Sequence, residues 1–216
     1  MKKVKTALSA LYFFFLASVA VSVAAQPVGY TKLNVKGRVQ LEVPSDWTIN
    51  DTDQRRRVKE FAEKVTGVAT EHVASLSVQS YPAPSRVFVR VSFIPMDPPL
   101  TQAEVLQEVR ANKQQVLRDL SDVWCEEAPT MWAGMAMYGI QEVGRSSFAV
   151  ESIGGQTALV IRYGRTSTAN PAETMRVTQY HVPLGAEKAL ITLSYIEGDQ
   201  QAIAAHNRLK TSIVIR

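Results

Sequence analysis

Three histidines, one cysteine, one adjacent acidic pair and one methionine cluster are the side chains through which this chain could do chemistry. His72, His181 and His206 fall in separate predicted elements, so only the fold could bring one of them to a nucleophile. Nucleophilic catalysis needs a serine or cysteine hydrogen-bonded to a base that a third group orients. The chain has no G-x-S-x-G elbow, and the serines of "GRSSF" and "LSY" stand at ordinary strand positions. Glu126-Glu127 offers two carboxylates, but acid–base work requires them to converge on one substrate. Sequence neighbours splay apart, and the pair reads as solvated. Cys125 follows Trp124 at the end of a predicted helix and reads as a small buried apolar residue rather than a reactive thiol. No catalytic residue and no cofactor are expected.

Met131, Met135 and Met137, with Trp132 among them, could offer thioethers and a ring to a soft ion such as Cu(I). On a helix Met131 and Met135 share a face while Met137 points elsewhere, and methionines at that spacing usually fill core gaps. Core filling is therefore the expected role. Met131, Trp132, Met135 and His181, the last from "YHV" at 180–182, remain as weak ligand-binding candidates. Gly154-Gly155 sits between two strands, where a hairpin turn accounts for it, so no glycine-rich loop opens a helix to hold phosphate.

The N-terminus carries an address. Lys2, Lys3 and Lys5 precede an apolar run from Ala7 to Ala25 that ends in small residues. Val23-Ala24-Ala25 suits signal peptidase, which places cleavage between Ala25 and Gln26 and export to the periplasm. The alternative is a retained anchor, since the run is 19 residues long and a spanning helix needs about 20. No cysteine stands near the cleavage point to take a lipid. The leader holds three of the 24 basic residues, so residues 26–216 carry 21 basic against 20 acidic side chains. A domain so nearly neutral lacks the electrostatic footprint of a nucleic-acid binder. With a lone cysteine there is no internal disulfide, and the hydrophobic core must supply the stability.

No linker, repeat or low-complexity tract divides residues 26–216, which read as a single domain. Tyr30 to Val43 predicts a strand pair or one bent strand, with a turn at Gly37 and with Val39, Leu41 and Val43 facing in. Pro44 removes a ladder donor, Ser45-Asp46 turns the chain and Trp47 anchors the exit. Asn50 or Asp51 caps a helix through about Thr66, stopped by Gly67, with Val58, Phe61 and Val65 on one face. Its "RRRVK" is offset by opposite charges at i,i+4, such as Asp53–Arg57 and Lys59–Glu63. "SLSVQSY" and "RVFVRVSFI" predict two strands, the second ended by "PMDPPL". "TQAE" is a capping box opening a helix from Thr101 to about Trp124, striped by Val105, Val109, Val116, Leu120 and Val123. After Pro129 a short helix closes at Gly139. Strands near 147–153, 157–165, 174–184 and 189–197 follow, then a helix from Asp199 to about Ser212, with Ile203 and Leu209 facing in. Antiparallel strands interrupted by helices give an α+β class, with helices packed on the sheet.

Three stretches carry a resemblance over most of residues 26–216: "LEVPSDW", "GGQTALVIRYGR" and "ALITLSYIEGD…LKTSIV". With its strand ending in a Pro-x-x-Trp corner and its Ser-Tyr strand leading to the last helix, the chain resembles the exported PsbP-like and DcrB-like proteins. That resemblance implies an α/β/α sandwich and a non-enzymatic accessory or binding role in the cell envelope, engaging a protein partner or envelope component. The alternative is a periplasmic carrier of a small hydrophobic ligand or soft metal ion, held between sheet and helices.

Overall fold

Side-chain alternation along the strands decides the architecture. The computed structural model describes residues 29–66 and 73–216; the leader with its Ala25–Gln26 junction, the stop at Gly67 and His72 lie outside them. Seven antiparallel strands form the main sheet: β3 (Thr48–Ile49), β4 (Leu76–Gln79), β5 (Val87–Leu100), β6 (Glu142–Ile153), β7 (Gln156–Thr166), β8 (Thr174–Pro183) and β9 (Gly185–Ile196). They lie in the order β3-β4-β5-β9-β8-β7-β6. Val89 and Val91 of β5 stand opposite Leu193 and Ile191 of β9, and Tyr180 of β8 stands opposite Ile191, which puts one apolar face on a shared core. A small sheet of β1 (Tyr30–Val35), β2 (Val39–Pro44) and β10 (Val214–Ile215) covers that face together with α3 (Gln200–Ser212). The opposite face carries α1 (Thr52–Thr66) and α2 (Gln102–Ala136). The molecule is thus an α+β sandwich.

Local signals set many of the ends. The first hairpin turns through Lys36 and Gly37, both at positive φ, and Val39, Leu41 and Val43 of β2 are fully buried. At the corner after β2 the Trp47 amide donates to the Pro44 carbonyl at 3.0 Å, and the half-buried indole packs on the core. Asp51, not Asn50, caps α1: its Oδ1 accepts from the Gln54 amide at 2.7 Å while Gln54 Oε1 accepts from the Asp51 amide. Thr101 and Glu104 form the expected capping box at α2. Gly154 and Gly155, at φ +57° and +83°, make the two-residue turn between β6 and β7. A Cβ on Gly154 would stand 2.9 Å from the Ile215 amide nitrogen, so this turn also seats the C-terminal strand.

Asp199 caps α3, accepting from the amides of Gln201 and Ala202 at 3.0 Å, and its other oxygen takes Arg86 at 2.9 Å. Arg86 also holds Glu173 at 2.7 Å, which ties the start of β5 to the loop before β8. Asp199→Ala is expected to cost about 1–2 kcal/mol, the usual loss of a good N-cap. Asp199→Asn, which keeps the cap and weakens the partly exposed ion pair, should recover most of that in urea denaturation.

Several expectations are corrected. β5 does not end at its prolines: pairing with β9 runs to Pro95, and the strand resumes with Leu100 opposite Gly185. Beyond Val91 β4 no longer pairs, so only one side of β5 is in a ladder and missing donors are tolerated there. Pro129 does not separate two helices, because α2 runs through it to Ala136; packing of Trp124, Ala128, Met131 and Trp132 on the second core cluster outweighs the lost hydrogen bond. The break falls instead at Asn112, at φ −156° and ψ 74°, whose side chain accepts from the Gln115 amide and caps the second half. Cys125 is exposed, one position round the helix from buried Trp124. Val58 and Phe61 of α1 are exposed as well, Phe61 meeting Tyr138 edge-on at 4.8 Å. The sheet near α1 offers polar Ser77 and Gln79, and Asn50 bonds to Ser77, so there is little apolar surface to cover. Lys59–Glu63 pairs at 2.9 Å as expected, whereas Asp53 takes Arg56 rather than Arg57. In α3 the buried residues are Ala202, His206 and Leu209, with Ile203 only half-buried.

Candidate functional site: an apolar cleft under the long helix

The stripe of α2 stands off the sheet along part of its length and leaves a cleft of about 400 Å³. Leu159 and Ile161 of β7 and His181 of β8 form the floor, residues that share one face because Leu159 pairs with His181. Val116, Leu120, Val123 and Trp124 form the helical wall. Met96 and Leu100, from the irregular end of β5, close one end with Pro183. Charges stand only at the rim: Glu108, Asp119 and Glu127 on the helix and Lys188 on β9. Hydrophobic lining with one or two placed polar groups is the usual make-up of a small-molecule site.

His181 is that polar group. Its Nε2 is buried and has no hydrogen-bond partner. Burial, with a smaller push from the Lys188 ammonium, lowers its pKa to about 4, so the ring is neutral near pH 7. A buried polar atom without a partner costs about 1–3 kcal/mol, and a ligand donor or acceptor reaching Nε2 would relieve that cost.

The structure separates the sequence candidates. His181 lies in the cleft floor. Met131 and Trp132 are half-buried against the second core cluster, where Trp132 meets Tyr163 edge-on at 5.6 Å and Trp124 stacks on the same ring at 5.1 Å. Met135 is half-buried one turn on, and Met137 is exposed at the helix end. Trp132 borders a second depression with Cys125, Pro129 and Phe148 rather than the His181 cleft. The wall residues Val116, Leu120 and Val123 were visible in sequence as a helical stripe; Trp124 was not part of it. That a stripe lines a gap rather than a packed contact depends on the distant end of β5. Among the described residues no group of three His, Cys, Asp or Glu converges on a metal-sized site, and no helix is long and apolar enough to cross a membrane.

No protein-family model matches the chain, and no curated protein matches it. Solved structures are similar to it at low identity. A protein from Bacteroides thetaiotaomicron is 9% identical at a TM-score of 0.43, covering 86% of this chain and 48% of that one, so this chain spans about half its length. LpqN of Mycobacterium tuberculosis, described as involved in cell envelope biogenesis, is 15% identical at a TM-score of 0.42, covering 87% and 91%. A cyanobacterial PsbP (CyanoP) from Synechocystis sp. PCC 6803 is 12% identical at a TM-score of 0.46, covering 92% and 99%.

Proposed function

We propose that this chain is a non-enzymatic binding protein of the cell envelope that holds a small hydrophobic ligand between α2 and the sheet. The observation that carries the reading is the apolar cleft with one neutral, unpartnered imidazole in its floor. The basic, apolar leader supports export. The ligand's apolar body would rest on Leu159, Ile161 and Leu120, and one polar group would meet His181.

The neutral probe 1-N-phenylnaphthylamine tests this through energy transfer from the tryptophans, of which Trp124 stands in the cleft wall. Saturable transfer is expected in the purified protein and its loss in Leu159→Glu, which would place a carboxylate against the apolar floor. No saturable transfer, or equal transfer in the variant, would sink the reading. A second reading, docking of a protein partner, is favoured by the exposed side chains Val58, Phe61, Met137 and Tyr138 where α1 meets the end of α2. Crosslinking in intact cells distinguishes it.

A further inference from the structure

The opposite face of the same strands carries a second cleft of about 350 Å³, between α3 and the β6–β8 end of the sheet. Its chemistry is the reverse of the first. Arg162 and Arg176 rise from β7 and β8, Lys210 descends from α3, and Arg145 reaches in from β6. Arg145 is brought there by an irregularity: the β6–β7 register shifts between Val143 and Ser147, and Gly144 lies at φ +76°. Bulges of this kind re-aim side chains beside functional sites. Gly164 does related work, since a Cβ there would come within 2.9 Å of Arg176 Nη1 and 2.5 Å of the Val143 carbonyl oxygen. The guanidinium can lie across β7 only because that position has no side chain.

Two carboxylates serve these four cations. Glu151 pairs with Arg162 and, at 3.4 Å, with Lys210, while Glu197 pairs with Arg176 at 2.8 Å. Arg145 has no carboxylate partner among the described residues. The cleft therefore holds an excess of two positive charges on a domain that is otherwise almost neutral. His206, also in the lining, is only 7% exposed, and its Nε2 has no partner although its ring rests on Tyr195 at 4.6 Å. An excess of two charges, with forked guanidinium donors from three strands, fits a tetrahedral oxyanion better than a planar carboxylate.

We propose that this cleft binds an anionic phosphoryl group, held by Arg145, Arg162, Arg176 and Lys210 with His206 against one oxygen. The group could belong to a soluble phosphorylated metabolite or to a lipid headgroup, and both present the same chemistry. The site is separate from the apolar cleft and stands whether or not that cleft is filled.

Arginine side-chain and amide NMR spectra of the purified protein, titrated with inorganic phosphate at constant ionic strength, test the proposal. Saturable shifts at Arg162, Arg176 and His206 are expected, with sodium chloride as the control salt. Arg145→Gln should weaken phosphate about tenfold, the loss of one charge-assisted hydrogen bond, and its exposed side chain puts the fold at no risk. Arg145→Gln with Arg176→Gln should abolish binding. Phosphatidylcholine vesicles containing phosphatidic acid form the second arm. Co-sedimentation that Arg145→Gln removes would place the phosphoryl group on a lipid, and phosphate binding without co-sedimentation would place it on a soluble molecule. Identical shifts with chloride, or undiminished phosphate affinity in Arg145→Gln, would overturn the proposal.

Discussion

Lowering the pH from 6.5 to about 4 is expected to weaken the fold by up to about 3 kcal/mol through His181 alone. The sign follows from which state takes up the proton. In the unfolded chain the imidazole titrates near its ordinary value of 6.5, whereas in the fold burial holds it neutral down to about 4. Between those values the unfolded state binds more protons, so stability is complete above the window and drains away as pH falls through it. Burial lowers the pKa of His206 as well, and that contribution has the same sign. Asp199 has its pKa lowered by the Ala202 amide and Arg86, and Glu151 is held low by Arg162 and Lys210 against the opposing effect of burial. Both begin to lose their contribution as pH falls through the ordinary carboxylate values, 4.5 for Glu151 and 3.8 for Asp199, so they overlap only the acid end of the histidine window. Urea denaturation at pH 7 and at pH 4.5 should show a large difference in the native chain. His181→Phe, which keeps an aromatic ring in the cleft floor but takes no proton, should lose much of that difference. An unchanged difference in the variant would mean that His181 is not held neutral by the fold.

Trp124→Ala is expected to be among the most damaging single substitutions, at about 3–5 kcal/mol. Trp124 is 8% exposed, stacks on Tyr163 and joins α2 to the cluster of Ile161, Met175, Val177 and Ile196. Its removal takes away the main apolar weight holding the second half of the broken helix to the sheet. It also strips one wall of the cleft. The urea midpoint should fall sharply, and Trp124→Phe should restore a large part of the loss because a smaller ring can still meet Tyr163. A cost below about 1 kcal/mol, the ordinary value for a point substitution, would show that α2 is held elsewhere.

Much of the fold was legible because the signals that set it are local. The alternation of β2 and β5, the capping box at Thr101, the cap at Asp199 and the Gly154-Gly155 turn each act within a few residues, and each is present. The misreadings have long-range causes. In sequence the prolines after Ile94 read as a stop, but whether a missing donor matters depends on whether a strand lies alongside, and β4 has already ended. Pro129 is tolerated because the residues on either side of it pack on distant strands. In sequence Cys125, next to a tryptophan, reads as interior. On a helix adjacent residues diverge by about 100°, so burying Trp124 turns Cys125 outward.

The sites were less legible than the fold. His181 could be singled out, but its cleft is assembled from β5, α2, β7 and β8, and nothing near "YHV" announces the gap. The basic cleft was missed altogether. Its four cations are spread over β6, β7, β8 and α3, and in a chain of balanced charge none of them stands out until register places them together.

The two clefts are back to back through a single layer of backbone. Ile161 and Arg162 are successive residues, as are Tyr180 and His181, and in each pair one member lines the apolar cleft and the other the basic one. A strand has a period of two, so sliding β7 by one position against its neighbours would carry every side chain to the wrong side. Arginine would enter the hydrophobic floor, and isoleucine would face the anion. The chemical identity of both compartments therefore hangs on the register of β7, which the Gly154-Gly155 turn to β6 on one side and the pairing with β8 on the other hold together.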